Sequence, residues 1–174
     1  MKLNLGGGKE FKKGYINVDI EDFSALSKDF IQHDLEKPLP FKDDSIDGIY
    51  CKGVLEHIFN LSQLLREIFR VCKHDAEIHF ILPHFTNNTF EFHIRPFRYW
   101  MFKEFCLEGD NVKRWTDNIY FHKVKRKLTF KSIYSFMNLI NISHFLIKIY
   151  EFSFLRSLFF AHGIEFEGKI YKVK

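Results

Sequence analysis

The sequence predicts an α/β fold built on a mostly parallel sheet, and three observations carry that expectation. Short runs rich in β-branched residues alternate with a segment of clear helical spacing. A glycine triplet, Gly6-Gly7-Gly8, follows the first apolar run at once, where a strand would hand over to a loop. An acidic residue, Asp19, closes the next run. Open parallel sheets bind ligands outside the C-terminal ends of their strands. The glycines, Asp19 and the segment after Cys51 all share that address.

The elements follow in order. "KLNL" is a short strand ending in the glycines, and "YINVDI" (15–20) is a second with a terminal acid. "SIDGIYC" (45–51) is a third, entered from the turn-like "PFKDD". In "LSQLLREIFRVCK" (61–73), Leu61, Leu64, Leu65, Ile68, Phe69 and Cys72 recur at helical spacing with charges between them. "EIHFILP" (77–83) reads as a buried strand stopped by Pro83. "RPFRYWMFKEF" (95–105) is aromatic, basic and expected to be helical, and "NIYFHKVKRKLTF" (118–130) is a strand with a basic middle. An apolar stretch of helical character spans 132–160, and "IEFEGKIYKVK" (164–174) closes as an alternating strand or hairpin. No repeat or Pro/Gly linker divides the chain, so a single domain over 1–174 is expected, with 1–90 as its cofactor-binding half and 91–174 as its acceptor side. Only ten residues separate Gly8 from Asp19. A crossover between parallel strands normally takes about ten to twelve residues or more with its helix. The first helix should therefore shrink to a turn.

Composition narrows the class. The 174 residues hold 22 Phe and 7 Tyr, ample for a sizeable core. Three widely spaced cysteines, Cys51, Cys72 and Cys106, make neither a disulfide framework nor a CxxC site, and charge interrupts the N-terminus at once, so a reducing cytoplasm is expected. The longest uncharged run, 132–147, is too short and polar to span a bilayer. The net charge of +4 is uneven: residues 1–90 carry 11 Lys/Arg against 14 Asp/Glu, and residues 91–174 carry 15 against 8. That is too little and too local for nucleic-acid binding, although "KVKRK" (123–127) is basic enough to meet an anionic surface.

A glycine loop with a strand-end acid suits a nucleoside-containing cofactor, the acid accepting both ribose hydroxyls. The P-loop pattern is absent, because Glu10 follows Gly8-Lys9 and no glycine stands five positions before Gly8. The dinucleotide fingerprint lacks its third glycine, since Phe11 occupies that place. S-adenosylmethionine, which carries no pyrophosphate, asks less of the loop and fits better.

The ordered segments "LNLGGGKEFKKGYINVDI", "HDLEKPLPFKDDSIDGIYCKGVLEHI", "LLREIFRVCK" and "IHFILPHF" resemble the small class I S-adenosylmethionine-dependent methyltransferases, closest to the type-11 methyltransferase domains of surface-polysaccharide and glycolipid pathways. The resemblance covers roughly the first 100 residues. It implies a Rossmann-like sheet in the order 3-2-1-4-5-7-6 with an antiparallel seventh strand, the last two strands supplied by "KVKRKLTF" and "IEFEGKIYKVK". It also implies site roles. Leu5, Gly6, Gly7 and Gly8 would lie against the methionine part of the cofactor. Asp19 would take the ribose hydroxyls and Ile20 would pack by the adenine. Asp34 and the Leu35 backbone would face the adenine amino group, and Cys51, Lys52, Gly53 and Val54 would line the methionine side near the methyl. Three departures stand out: Asn4 near a position often acidic, Gly53 in "GVLEH", and "KHDA" (73–76) in place of a glycine turn.

For the acceptor, the resemblance implies a sugar hydroxyl in a small-molecule or lipid-linked glycan, with a lipid, quinone or RNA acceptor, or a degenerate non-catalytic cofactor binder, as the alternatives. A hydroxyl nucleophile calls for a base, and histidine suits neutral pH. His84, directly after Pro83, and His93 are the candidates. The 95–105 segment is read as a core-facing helix with solvated charges, with Arg95 and Arg98 pairing a substrate phosphate as the alternative. No metal is expected, because Glu56 and His57 are two adjacent ligands without further partners and Glu56 reads as a helix cap. The 132–160 stretch is read as core and homodimer surface, with a peripheral membrane face as the alternative.

Overall fold

Successive residues of a strand face opposite sides of a sheet, so alternation decides what each side of this molecule is made of. The computed structural model describes residues 1–87, 93–100, 102, 106, 119–153, 156 and 161–172, with backbone only at 119 and 132–134. Its strands are β1 (Lys2–Leu5), β2 (Tyr15–Asp19), β3 (Phe30–Gln32), β4 (Ile46–Lys52), β5 (Cys72–Pro83), β6 (Ile119–Phe130) and β7 (Ala161–Lys172). The helices are α1 (Leu61–Val71) and α2 (His144–Phe152), with 3₁₀ turns at Leu55–His57, Phe85–Asn87 and Ser132–Ile142.

The strands form one sheet in the order β3-β2-β1-β4-β5-β7-β6. Each pair among β1 to β5 is parallel, and β7 lies antiparallel between β5 and β6. This is the expected order with its antiparallel seventh strand. The links 6–14, 20–29 and 33–45 contain turns and bends but no helix. The first crossover helix has thus gone altogether, as the ten-residue spacing required, and the next two are missing with it.

Only the β4–β5 crossover within 1–87 carries an α-helix. Asn60 caps α1: its side-chain oxygen accepts the Gln63 amide at 3.2 Å, and its amide donates to Gln63 at 3.0 Å. Glu56 is therefore not the cap. Leu64, Leu65, Ile68 and Phe69 are buried along one face of α1 and join the core of Leu3, Leu5, Ile49, Cys51, Ile78 and Phe80. Towards β6 the core turns aromatic: the Phe80 and Phe166 rings stack at 5.9 Å, and the Phe121 ring meets Phe69 at 4.9 Å.

The opposite face is polar. Cross-strand register aligns Asn17, Asn4, Tyr50, His79, Glu167 and Lys125 in a row across six strands. A second row joins Tyr15, Lys2, Gly48, Glu77 and Lys169. Lys2 pairs with Glu77 at 2.7 Å, and His79 meets Glu165, which lies outside both rows, at 2.9 Å. β5 is accordingly not the buried strand its apolar residues suggested: Ile78, Phe80 and Leu82 are buried, while Glu77 is exposed and His79 half-buried. Segment 95–100 is not helical either; Phe97 bridges to His84, and residues 101 and 103–105 lie outside the described residues.

Candidate cofactor and acceptor site

At the C-terminal edge of the parallel strands, β1 runs into the glycines. Gly6 adopts φ +63°, and a Cβ there would stand 2.3 Å from a Val54 methyl. A Cβ on Gly7 would fall 1.9 Å from the Asn17 side-chain oxygen and 2.2 Å from the Asn4 nitrogen. Those two amides are register neighbours on β1 and β2 and bond to each other at 2.6 Å. Asn4 also donates to the Glu10 carbonyl at 2.8 Å, and Asn17 to the Gly8 carbonyl at 2.9 Å. The loop is thus held from below by its own strands, and Gly6 and Gly7 are demanded by the chain before any ligand arrives. Around Gly8, by contrast, nothing lies within 4 Å of a Cβ position, so the loop opens there.

Asp19 ends β2 facing this opening. One carboxylate oxygen accepts the Gly8 amide at 2.7 Å and the other accepts the Glu21 amide at 3.1 Å. A carboxylate has about four lone-pair sites, so acceptor capacity remains on both oxygens. Beside it Ile20 is 64% exposed, an apolar side chain with little of the protein over it. The His33 amide donates to the Asp19 carbonyl at 2.7 Å, which brings "HDL" alongside. Asp34 there accepts the Glu36 amide at 3.0 Å in a local turn, and Leu35 is buried.

β4 delivers the fourth side of this edge. The Cys51 side chain points into the core, where burial pushes its thiol far above the usual range; only its backbone faces the edge. Lys52 is paired to Glu10 at 2.9 Å, tying β4 to the glycine loop. Gly53, at φ +66°, turns the chain, and Val54 packs on Gly6.

Beyond Val54 the Leu55–His57 turn carries Glu56, 3% exposed, with its Oε2 lacking a hydrogen-bond partner among the described residues. Burial raises its carboxyl above the ordinary range, opposed by the nearby His57 and His93. His93 Nε2 stands 4.0 Å from Glu56 Oε1, and its ring meets that of His57 at 5.0 Å. The Ile94 amide donates to the Glu56 carbonyl at 3.1 Å, and Arg95 donates to the Ile58 and Phe59 carbonyls. The 93–95 segment is clamped onto the 56–59 turn by these bonds.

Residues 12–80 match the methyltransferase domain family of the type-11 group. The whole chain is similar in fold to a S-adenosylmethionine-dependent methyltransferase of Archaeoglobus fulgidus, with a TM-score of 0.66 and 17% identity over 97% of this chain and 85% of that one. The YcgJ protein of Bacillus subtilis aligns at 0.57 and 17% identity, covering 99% and 92%. A Haloferax volcanii methyltransferase, solved in complex with its Trm112 activator, aligns at 0.63 and 14%, covering 99% and 82%. No curated protein sequence matches this one. Residues 12–80 are thus similar to a methyltransferase domain, and the chain shares its fold with S-adenosylmethionine-dependent methyltransferases.

The residues expected on the cofactor side, Leu5 to Gly8, Asp19, Ile20, Asp34, Leu35 and Cys51 to Val54, lie along one strand-end edge. The open loop at Gly8, the spare acceptor capacity of Asp19 and the uncovered Ile20 fit a nucleoside with a polar sugar and an apolar base. The two candidate histidines have different surroundings, His93 beside Glu56 and His57, and His84 in the core. His84 is fully buried, with Nδ1 2.7 Å from the Thr86 hydroxyl and Nε2 3.3 Å from Glu151, and burial lowers its proton affinity. Arg98 lies over the Phe85 ring at 4.7 Å, and one terminal guanidinium nitrogen of Arg95 donates to the Ile58 and Phe59 carbonyls while its buried Nε has no hydrogen-bond partner among the described residues. Sequence reasoning missed the strut formed by Asn4 and Asn17, and the meeting of Glu56 with His93. The first had a signal, two asparagines at matching places in consecutive strands. The second had none, since 36 residues separate the partners.

No helix among the described residues is long and apolar enough to cross a membrane. Phe136, Leu139, Ile142, Phe145 and Phe152 are nevertheless each more than half exposed along 136–152.

Proposed function

We propose that this methyltransferase moves the S-methyl group of S-adenosylmethionine to a hydroxyl oxygen of a glycan or small-molecule acceptor, most favourably a sugar carried on a lipid. The carrying observation is the single edge that joins the open glycine loop, Asp19 and the Val54–His57 turn. In this reading Leu5 to Gly8 and the Cys51–Val54 backbone hold the methionine end, Asp19 binds the ribose, and Ile20, Asp34 and Leu35 receive the adenine. The acceptor oxygen attacks the methyl carbon in line. A C–O bond forms as the C–S bond breaks, the sulfonium becomes a neutral thioether, and the hydroxyl proton leaves. Much of the rate comes from positioning. His93 is the acceptor-side histidine that this reading retains, and the buried His84 is not part of it.

The exposed apolar surface along 136–152 supports a lipid-linked acceptor, with the enzyme working in the cytoplasm against a membrane surface. A second reading, a protein that uses the fold without methyl transfer, has one support: a neighbour of similar fold is a [4+2]-cyclase. Titration calorimetry with S-adenosylmethionine and S-adenosylhomocysteine tests the first reading, with NAD as control. Micromolar binding is expected for the first two alone. Asp19→Ala should weaken it by about 1–3 kcal/mol, the loss of a charge-assisted hydrogen-bond partner. A folded protein that binds neither compound sinks the proposal. Sedimentation with anionic vesicles tests the lipid reading, and a protein that stays dispersed while forming dimers through 136–152 refutes it.

A further inference from the structure

We propose that Glu56, His57 and His93 form a binding site for a divalent transition-metal ion beside the acceptor pocket. This rests on the methyl-transfer reading for its purpose and deepens it, because the ion would hold the acceptor oxygen. One ligand atom from each of the three side chains lies within 4.8 Å of the others. Zinc bonds nitrogen and oxygen ligands at about 2.0–2.2 Å. Closing the cluster thus takes movements of roughly 1 Å, which the exposed His57 ring can supply.

Two independent observations point to a ligand here. Glu56 is 3% exposed, yet its Oε2 has no hydrogen-bond partner among the described residues, an arrangement that is costly without a counter-charge. The segment bearing His93 is also anchored where the site needs it, by the Ile94 amide on the Glu56 carbonyl and by Arg95 on the next turn. The two sequence-adjacent residues lacked a partner as read along the chain, and the fold brings one.

The donor set selects the metal. Two imidazoles and one carboxylate suit zinc, iron, nickel, cobalt or manganese, and not calcium or magnesium, which favour oxygen throughout. Three protein ligands leave a position open, the arrangement of catalytic rather than structural sites. Val54, the residue just before this turn, packs against Gly6, so the turn that carries the site adjoins the loop where the methyl-transfer reading puts the methionine end of the cofactor. A hydroxyl bound at the open position loses its proton to solvent more readily, as water does on zinc. His93 then acts by holding the ion instead of by taking the proton itself.

The decisive experiment titrates the chelator-stripped full chain with cobalt(II) and with zinc, following the visible cobalt spectrum and displacement of cobalt by zinc. One equivalent should bind with the intense absorption of a low-coordinate site. His57→Ala, His93→Ala and Glu56→Gln should each weaken binding by about tenfold or more, given that even outer-shell partners of ligands carry about 10–100-fold. The second cluster of metal-binding residue types, His79, Glu165 and Glu167 on the polar sheet face, supplies the control. His79→Ala should leave the titration unchanged. Cofactor calorimetry on the same stripped protein reports folding and the methyl-transfer reading separately, and His57→Ala, on an exposed side chain, should bind cofactor normally. Absence of stoichiometric cobalt binding in a protein that binds cofactor overturns the metal site alone. So does binding that survives His57→Ala with His93→Ala, or that disappears with His79→Ala.

Discussion

The two faces of the sheet are built to different rules. Under α1 the face is closed, apolar and crowded with rings; on the other side it is a lattice of lysines, glutamates, tyrosine and asparagine with no helix over it in 1–87. Parallel sheets normally bury both faces beneath crossover helices. Here the first three links are too short or irregular for helices, and the strands answer by alternating polar with apolar residues, as an antiparallel sheet facing water does. The lesson is that loss of a covering layer is matched residue by residue in the strands it uncovers, while the candidate cofactor edge is built from strand ends and does not need those helices.

That contrast is easiest to break on the apolar side. Phe80→Ala removes a fully buried ring stacked on Phe166 and should cost about 3–5 kcal/mol, read by denaturant unfolding. A cost under 1 kcal/mol would mean the ring cluster is loosely packed. Next comes the junction of the two faces. Gly7→Ala must part the Asn4–Asn17 amides, with an expected loss of about 1–3 kcal/mol and weaker cofactor binding. An unchanged melting temperature would deny the amides their strut role. The polar face should be forgiving: Lys2→Ala breaks a pair with the exposed Glu77 and is expected to cost at most about 1 kcal/mol, less at high salt.

A pH titration sharpens the comparison further, because the buried histidine lies on the closed side of this balance. His84 is faced by Glu151, Arg98, Arg156 and Tyr150, and burial outweighs Glu151 to hold its proton affinity below the ordinary value of 6.5. As pH falls through that value, the unfolded chain takes up a proton that the folded chain does not, so stability declines. Melting temperature should therefore drop between pH 7 and 5, and His84→Gln should flatten the slope. Parallel slopes for the two proteins would contradict this account.

Much of this was legible in the chain. The glycine loop, the strand-end Asp19, the amphipathic spacing of α1 and the short Gly8–Asp19 interval each encode local geometry, and the sheet order came with the resemblance those residues carry. The alternation Glu77-Ile78-His79-Phe80 was legible too, but its apolar half drew the eye to burial on both sides. What could not be read were meetings across distance. His84 looks like a strand-end base until Glu151, 67 residues on, closes over it, and Glu56 looks like a cap until His93 arrives. Periodicity reports which face a residue takes, and is silent on what a distant segment brings to it.

The position of β7 has a temporal consequence. Its Glu165 and Phe166 pair with β5 on one side and β6 on the other, yet it is the last described strand to leave the ribosome. Until then β5 presents an open edge and Phe80 lacks its stacking partner. From the emergence of β5 until β7 follows, the nascent chain therefore carries a sticky, unfinished border, and chaperone demand should be highest over that interval.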